Sequence, residues 1–283
     1  MIMVCTHNQL GNQLFSYAYG RFLARKHGTE LVINTWAHLN TWVKCRLPEL
    51  QVNCSYCSDD WQDEQGLAAK YPNLKIFRDG STDELFNAGD NVILIGEWGS
   101  TRFLTADDSD MIPLLRREFE IRDNNRSDDY VRLRGQIDRA SGAVAVHIRL
   151  GDNRRNPDFL FTPPGNDYYE RAFERIEKSV DNPEYFVFSD EIDYAEANYQ
   201  LRTAHPLTFV RTKSDLEDFD LMKRCKHNII ANSTYSWWAA CLNENGHKQV
   251  IAPLKWYVNP EWQHQYENET VETGQVPPEW AKI

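Results

Sequence analysis

The fold is decided by Ala143-Val-Ala-Val-His-Ile-Arg-Leu-Gly-Asp152, an apolar run of strand length with polar side chains at its carboxyl end. In an open parallel sheet, ligands bind at the carboxyl ends of the strands. Arg149 would present a planar, permanently charged fork that suits a phosphate, and Gly151 would let the backbone approach a ligand closely. The stretch therefore indicates a phosphorylated ligand, although a buried His147 beside an Arg149–Asp152 ion pair would produce the same pattern.

A second stretch points to the same kind of ligand. Residues 227–232 read as a short buried strand that continues directly into a helix over residues 233–243, with Asn232 or Ser233 as its N-cap. This order places backbone N–H groups and the positive end of the helix dipole at the edge of the sheet, beside the hydroxyls of Ser233 and Thr234. The segment predicts a second phosphate contact, with ordinary helix capping as the alternative.

Strands and helices alternate throughout the second half of the chain, after the linker-like run Asp123–Asp129. Such alternation predicts a parallel sheet with right-handed crossovers. The predicted strands are residues 143–150, 185–189, 207–210, 227–231 and 249–252, with helices at 167–180, 192–202, 214–225 and 233–243.

The first half of the chain begins with a predicted strand–helix–strand unit. Its strands are Met1–Cys5 and Glu30–Asn34, and its helix runs from about Asn12 to His27. A further strand is predicted at Asn91–Ile95. The region 35–92 is poorly patterned, so we expect only short helices and loops there.

Composition and charge restrict the class of protein. The 283 residues are 41% hydrophobic and 12% aromatic, which is typical of a globular chain with one large or two medium domains. The net charge of −11 argues against nucleic acid or an anionic membrane as the main partner, because both require an excess of Lys and Arg. A phosphate must then be met by a local cluster, for which Arg149, Arg154, Arg155 and Lys255 are candidates.

The sequence also bears on compartment and metal content. Met1–Cys5 lacks the features of a signal peptide, and no stretch approaches the roughly 18 apolar residues that a membrane span requires. We therefore expect a cytoplasmic protein without a membrane anchor. The pair Cys54-Ser-Tyr-Cys57 has no second pair at zinc-finger spacing. Neither a metal nor a redox role is predicted.

Six blocks of sequence follow one another in a recognisable order. They are Leu10–Ala24 with Gly-Asn-Gln, Gly96–Phe103, His147–Asp152, Phe186–Asp190, Asp220–Ala240 with Asn-Ser-Thr-Tyr-Ser-Trp-Trp, and Val250–Trp256. In these blocks the chain resembles glycosyltransferase family 11, the α-1,2-fucosyltransferases. It departs from that family at Leu150, where members often carry a second arginine, and at Gly99, where they often carry glutamine. The first departure leaves Arg149 as a single phosphate clamp, and the second weakens inference about the acceptor.

The resemblance implies an α/β, GT-B-like fold of two Rossmann-like domains with a deep cleft between them. The expected domains are an acceptor-side domain over residues 1–135, a GDP-fucose-binding domain over 136–265 and a tail over 266–283. The implied reaction is inverting, metal-independent transfer of L-fucose from GDP-β-L-fucose to the 2-OH of a terminal galactose in an oligosaccharide. GDP-fucose would be a substrate, and no cofactor is expected.

Residue roles follow from the resemblance and from the chemistry. Departure of the diphosphate needs fixed donors where negative charge develops, which Arg149 and the start of the helix at 233–243 would supply. A carboxylate such as Asp218 could accept from the guanine edge, although acids are favoured at the start of a helix in any case. The predicted catalytic residues are Arg149 and, as candidate general bases, Glu97 and Asp152. The predicted donor-site residues are Asn12, Gln13, His147, Arg149, Asp190, Asp218, Asn232, Ser233 and Thr234.

Two other functions fit the same sequence. One is a glycosyltransferase of this fold with a different nucleotide sugar or linkage. The other is a catalytically idle carbohydrate-binding protein, against which the intact Arg149 and Asn232-Ser-Thr234 argue. Fold similarity alone does not separate these functions.

Overall fold

The chain forms two α/β units, Met1–Arg122 and Asp123–Ile283. They are seen in a computed structural model, which describes residues 1–39, 41–78, 89–96, 101–105, 110–123, 125–151, 161, 163–261, 263–264 and 276–283. Within those ranges, no helix combines the length and apolar character needed to cross a bilayer.

The first unit is built on a parallel sheet of five strands in the order β3-β2-β1-β5-β4. Its middle strands are buried on both faces, as is typical of a parallel sheet covered by helices. The strands are β1 (Ile2–Cys5), β2 (Leu31–Asn34), β3 (Ser55–Cys57), β4 (Lys75–Arg78) and β5 (Val92–Ile95). The helices are α1 (Leu10–Lys26), α2 (Glu64–Lys70), α3 (Arg102–Thr105) and α4 (Met111–Glu118), with 3-10 turns at Trp36–His38 and Leu47–Glu49.

The expectation of only short helices and loops in residues 35–92 is wrong. Strands β3 and β4 lie in this region and form the two edges of the sheet. Both are only three or four residues long and partly exposed, so they lack the apolar alternation that identifies a strand in sequence. Their strand conformation comes from pairing with β2 and β5, which are distant in sequence.

The second unit is built on a parallel sheet of six strands in the order β11-β10-β9-β6-β7-β8. This confirms the predicted alternation of strands and helices. The strands are β6 (Gly142–Ile148), β7 (Pro183–Ser189), β8 (Leu207–Phe209), β9 (His227–Ile229), β10 (Val250–Ala252) and β11 (Ala281–Lys282). The helices are α5 (Asp128–Arg139), α6 (Asn166–Glu177), α7 (Ile192–Asn198), α8 (Asp215–Arg224) and α9 (Thr234–Leu242).

The order of these strands creates a topological switch point. Counted from β6, the second sheet has the order 3-2-1-4-5-6 of a doubly wound Rossmann sheet. Strands β6 and β9 are neighbours. From β6 the chain continues towards one edge of the sheet through β7 and β8, and from β9 it continues towards the other edge through β10 and β11. Ligands of such sheets bind outside the carboxyl ends of the two strands at this point.

Strand β6 is fixed in place by the hydrophobic core around it. All seven of its residues are buried, and its apolar side chains pack in one cluster with those of α6. In α6 the buried residues Tyr169, Phe173 and Ile176 recur at helical spacing and form one apolar face. Burial of each such side chain contributes about 1.5–3 kcal/mol, so the strand that ends at the switch point is rigidly held.

The division of the chain lies earlier than the expected boundary at residues 135 and 136, which falls inside α5. Helix α5 packs on α8 in the second unit, where the Tyr130 hydroxyl donates to Asp220 at 2.5 Å. The linker-like run Asp123–Asp129 marks the division instead. At the other end of the chain, β11 pairs with β10, so residues predicted as a tail extend the sheet.

Candidate functional site

Several predicted site residues meet at the switch point of the second sheet. Val146 of β6 is in register with Ile229 of β9, and three residues beyond this pair lie Arg149 and Asn232. On the other side of β6, Ile148 is in register with Ser189, which Asp190 follows. The pairing of three strands therefore brings these side chains to one edge of the sheet.

The guanidinium of Arg149 pairs with the carboxylate of Asp190. The same carboxylate accepts from the backbone N–H groups of Leu150 and Gly151, each at 2.9 Å, and Arg149 Nη1 donates to its second oxygen. The structure thus assigns Arg149 a partner other than Asp152, which lies outside the described residues. Asp190 was predicted to contact the nucleotide sugar. In the structure its carboxylate accepts hydrogen bonds from protein groups, and the contact with the nucleotide sugar stays a prediction.

The reason for glycine at position 151 differs from the one expected. A Cβ built at Gly151 would lie 2.3 Å from Asp190 Oδ2, which is far inside van der Waals contact. The missing side chain therefore makes room for the Asp190 carboxylate. Close approach of backbone to a ligand is not needed to explain this glycine.

The start of α9 is the second predicted phosphate contact. Ser233 is its N-cap, with extended backbone angles of φ −147° and ψ 124°, yet the Ser233 side chain makes no capping hydrogen bond. The first turn of α9 also contains no acidic residue, whereas those of α5, α6 and α8 do. The positive end of the helix dipole is therefore not offset by acids in its own first turn, which suits an anion.

Asn232 has a structural role at the end of β9. Its Nδ2 donates to the carbonyl oxygen of Trp256 at 3.2 Å, and the residue is buried. This bond ties the strand end to the segment that follows β10. Of the two predicted N-caps, the structure selects Ser233.

His147 lies at the end of β6 with its ring buried. Burial lowers its pKa to about 4, so the imidazole is neutral at physiological pH. Its Nδ1 has no hydrogen-bond partner among the residues that the structure describes. The ring lies 5.6 Å from that of Tyr235, centroid to centroid. A neutral, buried imidazole with an unsatisfied nitrogen is a candidate for ligand contact.

Tyr235 was not predicted as a site residue from the sequence. It lies between the end of β6 and the start of α8. Its ring also lies 5.5 Å from that of Phe219, and its hydroxyl donates to the Asp215 carbonyl oxygen at 2.5 Å. Tyr235 therefore contacts both His147 of β6 and the first turns of α8, in which Asp218 lies. Its place in the first turn of α9, one residue after Thr234, was the available signal.

Asp218 has an unusual carboxyl group. Its pKa is raised to about 7, mainly by burial and further by the nearby carboxylates of Asp215 and Glu217. The Thr212 hydroxyl donates to Asp218 Oδ1 at 2.8 Å, which partly opposes this shift. The group therefore changes charge near neutral pH, in the helix whose residues Asp215 and Phe219 contact Tyr235.

Two further predicted residues are part of the first unit. Asn12 and Gln13 belong to α1 of the first unit. The buried amide of Gln13 donates to the carbonyl oxygens of Asn8 and Lys44 at 2.8 and 2.9 Å and accepts from Arg46 N at 2.8 Å. This use favours a structural role for Gln13, and the role of Asn12 stays a prediction.

Other residues from the sequence analysis lie outside the described ranges. These are Glu97, Gly99, Asp152, Arg154 and Arg155. Within the described ranges, no group of three or more His, Cys, Asp or Glu side chains is arranged to hold a metal ion.

The fold and site define a class of protein. Two Rossmann-like parallel sheets, with a guanidinium and an acid-free helix start at the switch point of the second, form a GT-B-like α/β protein. The family model "Glycosyl transferase family 11" matches residues 109–280, which is more than half of the chain. The chain belongs to glycosyltransferase family 11, as the sequence blocks indicated.

Individual relatives agree with this membership. The O-antigen biosynthesis glycosyltransferase WbnK of Escherichia coli is 40% identical over 124 residues, which span 41% of this chain and 40% of that protein. An alpha-1,2-colitosyltransferase of Escherichia coli is 25% identical over 272 residues, or 89% of this chain and 91% of that protein.

A solved structure shows the same fold. The fucosyltransferase NodZ from Bradyrhizobium has a TM-score of 0.52 at 15% identity, covering 84% of this chain and 90% of that chain. Another structure of NodZ, an alpha-1,6-fucosyltransferase, was soaked with GDP-fucose and has a TM-score of 0.51. At this identity, the similarity concerns the fold alone.

Proposed function

We propose that the chain transfers L-fucose from GDP-β-L-fucose to the 2-OH of a terminal galactose in an oligosaccharide, with inversion and without a metal ion. The observation that carries the proposal is the convergence of Arg149 and the α9 start at the switch point of the second sheet. Support for the donor comes from the sequence blocks and from the shared fold of NodZ, a fucosyltransferase that was soaked with GDP-fucose. The α-1,2 linkage is supported by the blocks and by the colitosyltransferase relative.

The diphosphate is the leaving group of this reaction. When the bond between the fucose anomeric carbon and the phosphate oxygen breaks, its electron pair moves to GDP and negative charge grows there. Arg149 and the N–H groups of the first turn of α9 supply positive charge at that position. Both are fixed in the fold, Arg149 by Asp190 and α9 by β9, so little reorganisation is needed during the reaction.

The guanine base is assigned to the His147–Tyr235–Asp218 group. A carboxylate at Asp218 can accept from both N1–H and the amino group of guanine. Neutral His147 offers a ring nitrogen, and the Tyr235 ring offers an aromatic surface beside it. Uracil lacks the paired donors of the guanine edge, so this group favours GDP over UDP.

The acceptor hydroxyl attacks the anomeric carbon from the face opposite the diphosphate and then loses its proton. Glu97 and Asp152 remain the proposed bases for that proton. An oxocarbenium-like transition state develops little charge on the attacking oxygen before the bond forms. A weak carboxylate base is therefore sufficient.

Incubation of the protein with GDP-fucose and a panel of β-galactosides tests the proposal. We expect a fucosylated product whose NMR spectrum shows an α-configured fucose on the galactose 2-OH. A product with another linkage would contradict the acceptor assignment. Binding of GDP-fucose without transfer to any galactoside would favour the carbohydrate-binding alternative.

Colitosyl transfer is the second candidate, because the colitosyltransferase relative matches 89% of the chain. The site residues described above contact the nucleotide in our proposal, so they would serve either sugar. Competition between GDP-fucose and nucleotide-activated colitose, read as a ratio of kcat/KM values, separates the two. A ratio in favour of colitose would replace the fucosyl assignment.

Activity is expected to survive excess EDTA. Arg149 and the α9 start supply the positive charge that a divalent cation would otherwise provide at the diphosphate. The measurement is initial rate with GDP-fucose before and after chelation, with Mg²⁺ and Mn²⁺ added back. Loss of activity that either cation restores would contradict this donor-site arrangement, whereas a change of less than a few fold would not.

A further inference from the structure

Asp190 makes three contacts that converge on one turn of the chain. One carboxylate oxygen accepts from the Leu150 N–H, and the other accepts from the Gly151 N–H and from Arg149 Nη1. Neither partner is strongly exposed, with 19% of the Arg149 side chain and 26% of the Asp190 side chain accessible. The carboxylate therefore bridges the backbone after β6 and the guanidinium that this backbone carries.

Gly151 is adapted to this carboxylate. Any Cβ at position 151 would lie 2.3 Å from Asp190 Oδ2 and 3.5 Å from Arg149 Nη1. The three consecutive residues 149–151 thus donate hydrogen bonds to Asp190 from one guanidinium and two backbone N–H groups. The absence of a side chain at Gly151 leaves the space that the carboxylate occupies. A surface ion pair formed by chance would not require this combination.

We propose that Asp190 is a positioning residue, which fixes the Arg149 guanidinium in the orientation that meets the diphosphate of the donor. This inference rests on the proposed function for the identity of the ligand, a nucleoside diphosphate. The carboxylate is anchored by backbone N–H groups, so it holds the guanidinium against a rigid part of the fold. Ordering the arginine before the ligand arrives removes an entropic cost from binding and catalysis.

Leu150 explains why orientation matters in this chain. Its side chain is 5% exposed and packs in the core, so position 150 supplies no second guanidinium. Within residues 149–151, Arg149 is then the one side chain that can meet the diphosphate with a guanidinium. The Asp190 carboxylate holds this guanidinium, so its orientation bears directly on the contact with the diphosphate.

A double-mutant cycle between positions 149 and 190 tests the proposal. Asp190→Asn is expected to lower kcat/KM about tenfold in the wild-type background and less than about twofold in the Arg149→Ala background. The introduced amide would keep one acceptor oxygen but would direct an N–H group at the other donors. An equal factor in both backgrounds would show a purely structural role and overturn the proposal.

Asp193→Asn is the matched control. Asp193 pairs with Arg211 at 2.8 Å on the exposed surface of the same unit. Its replacement is expected to leave kcat/KM within about twofold, as is usual for exposed ion pairs. A loss as large as that of Asp190→Asn would mean that any lost carboxylate in this region has the same effect, and would also overturn the proposal.

Gly151→Ala provides the same test if Asp190→Asn does not fold. It retains the charge of Asp190 and displaces its carboxylate, so the same dependence on Arg149 is expected. GDP, UDP and ADP affinities are measured for each variant alongside turnover. If another nucleotide binds best, the fucosyl proposal fails. The double-mutant cycle, measured as affinities for that nucleotide, still decides the role of Asp190.

Discussion

Arg149→Ala is expected to lower kcat by about 10²–10³, because it removes the guanidinium that we propose stabilises charge developing on the diphosphate. The protein should still fold, since Arg149 lies at the end of β6 and outside the hydrophobic core. The measurements are kcat under saturating GDP-fucose and the melting temperature. Retention of about a tenth or more of wild-type kcat would remove Arg149 from the mechanism.

Two further variants sharpen this result. Arg149→Lys should restore little activity, because a compact ammonium cannot reproduce a planar fork that contacts both a carboxylate and a diphosphate. Arg171→Ala is the control for loss of an arginine in the same unit. Arg171 forms an exposed ion pair with Asp167 at 2.9 Å on α6, so its kcat should be unchanged.

GDP affinity is expected to fall about tenfold for each pH unit below the pKa of Asp218, which is about 7. The charged carboxylate is the form that accepts from guanine N1–H and the amino group. Above this pKa the Asp218 side chain is already deprotonated, so GDP binding does not require the removal of a proton. Below it, binding must first remove a proton, so affinity decreases as the pH falls. Calorimetric titration with GDP between pH 5.5 and 8.5 measures the dependence.

Asp218→Asn is the control for this titration. The phosphates of GDP also gain a proton near pH 6, which is a separate source of pH dependence. The asparagine variant keeps that contribution and loses the one from Asp218, so the difference between the two curves isolates the side chain. His147, with a pKa of about 4, stays neutral through most of this range.

The same variant tests nucleotide selectivity. At pH 8, wild-type protein should bind GDP more tightly than UDP, and Asp218→Asn should narrow this difference. Identical curves for wild type and variant, or equal affinity for UDP and GDP, would contradict the assignment of Asp218 to guanine. The hypothesis that the protein transfers a sugar from a different nucleotide would then be favoured over the use of GDP-fucose.

Local sequence patterns determined much of the second unit. The apolar run at 143–148, the helical spacing in α6 and the strand-to-helix junction at 232–234 are features of neighbouring residues, and each was predicted. The side of the sheet was predictable too, because polar residues after a parallel strand lie at its carboxyl edge. The sequence thus indicated Arg149 and the start of α9 as ligand contacts.

Only the tertiary structure decided how these parts meet. The strand order places β9 beside β6, so Arg149 and Asn232 follow neighbouring strands although they are far apart in sequence. The same folding gives Asp190 to Arg149 as its partner and explains Gly151 by that carboxylate. These contacts join residues far apart in the chain, for which local periodicity carries no information.

Burial is the other property that sequence could not supply. The neutral state of His147 and the raised pKa of Asp218 both come mainly from loss of solvent. Desolvation depends on what covers a group in the folded chain, and the residues next to it in sequence do not specify that cover. Sequence therefore determined which chemical groups stand at the edge of the sheet, whereas packing decided their partners and their charge.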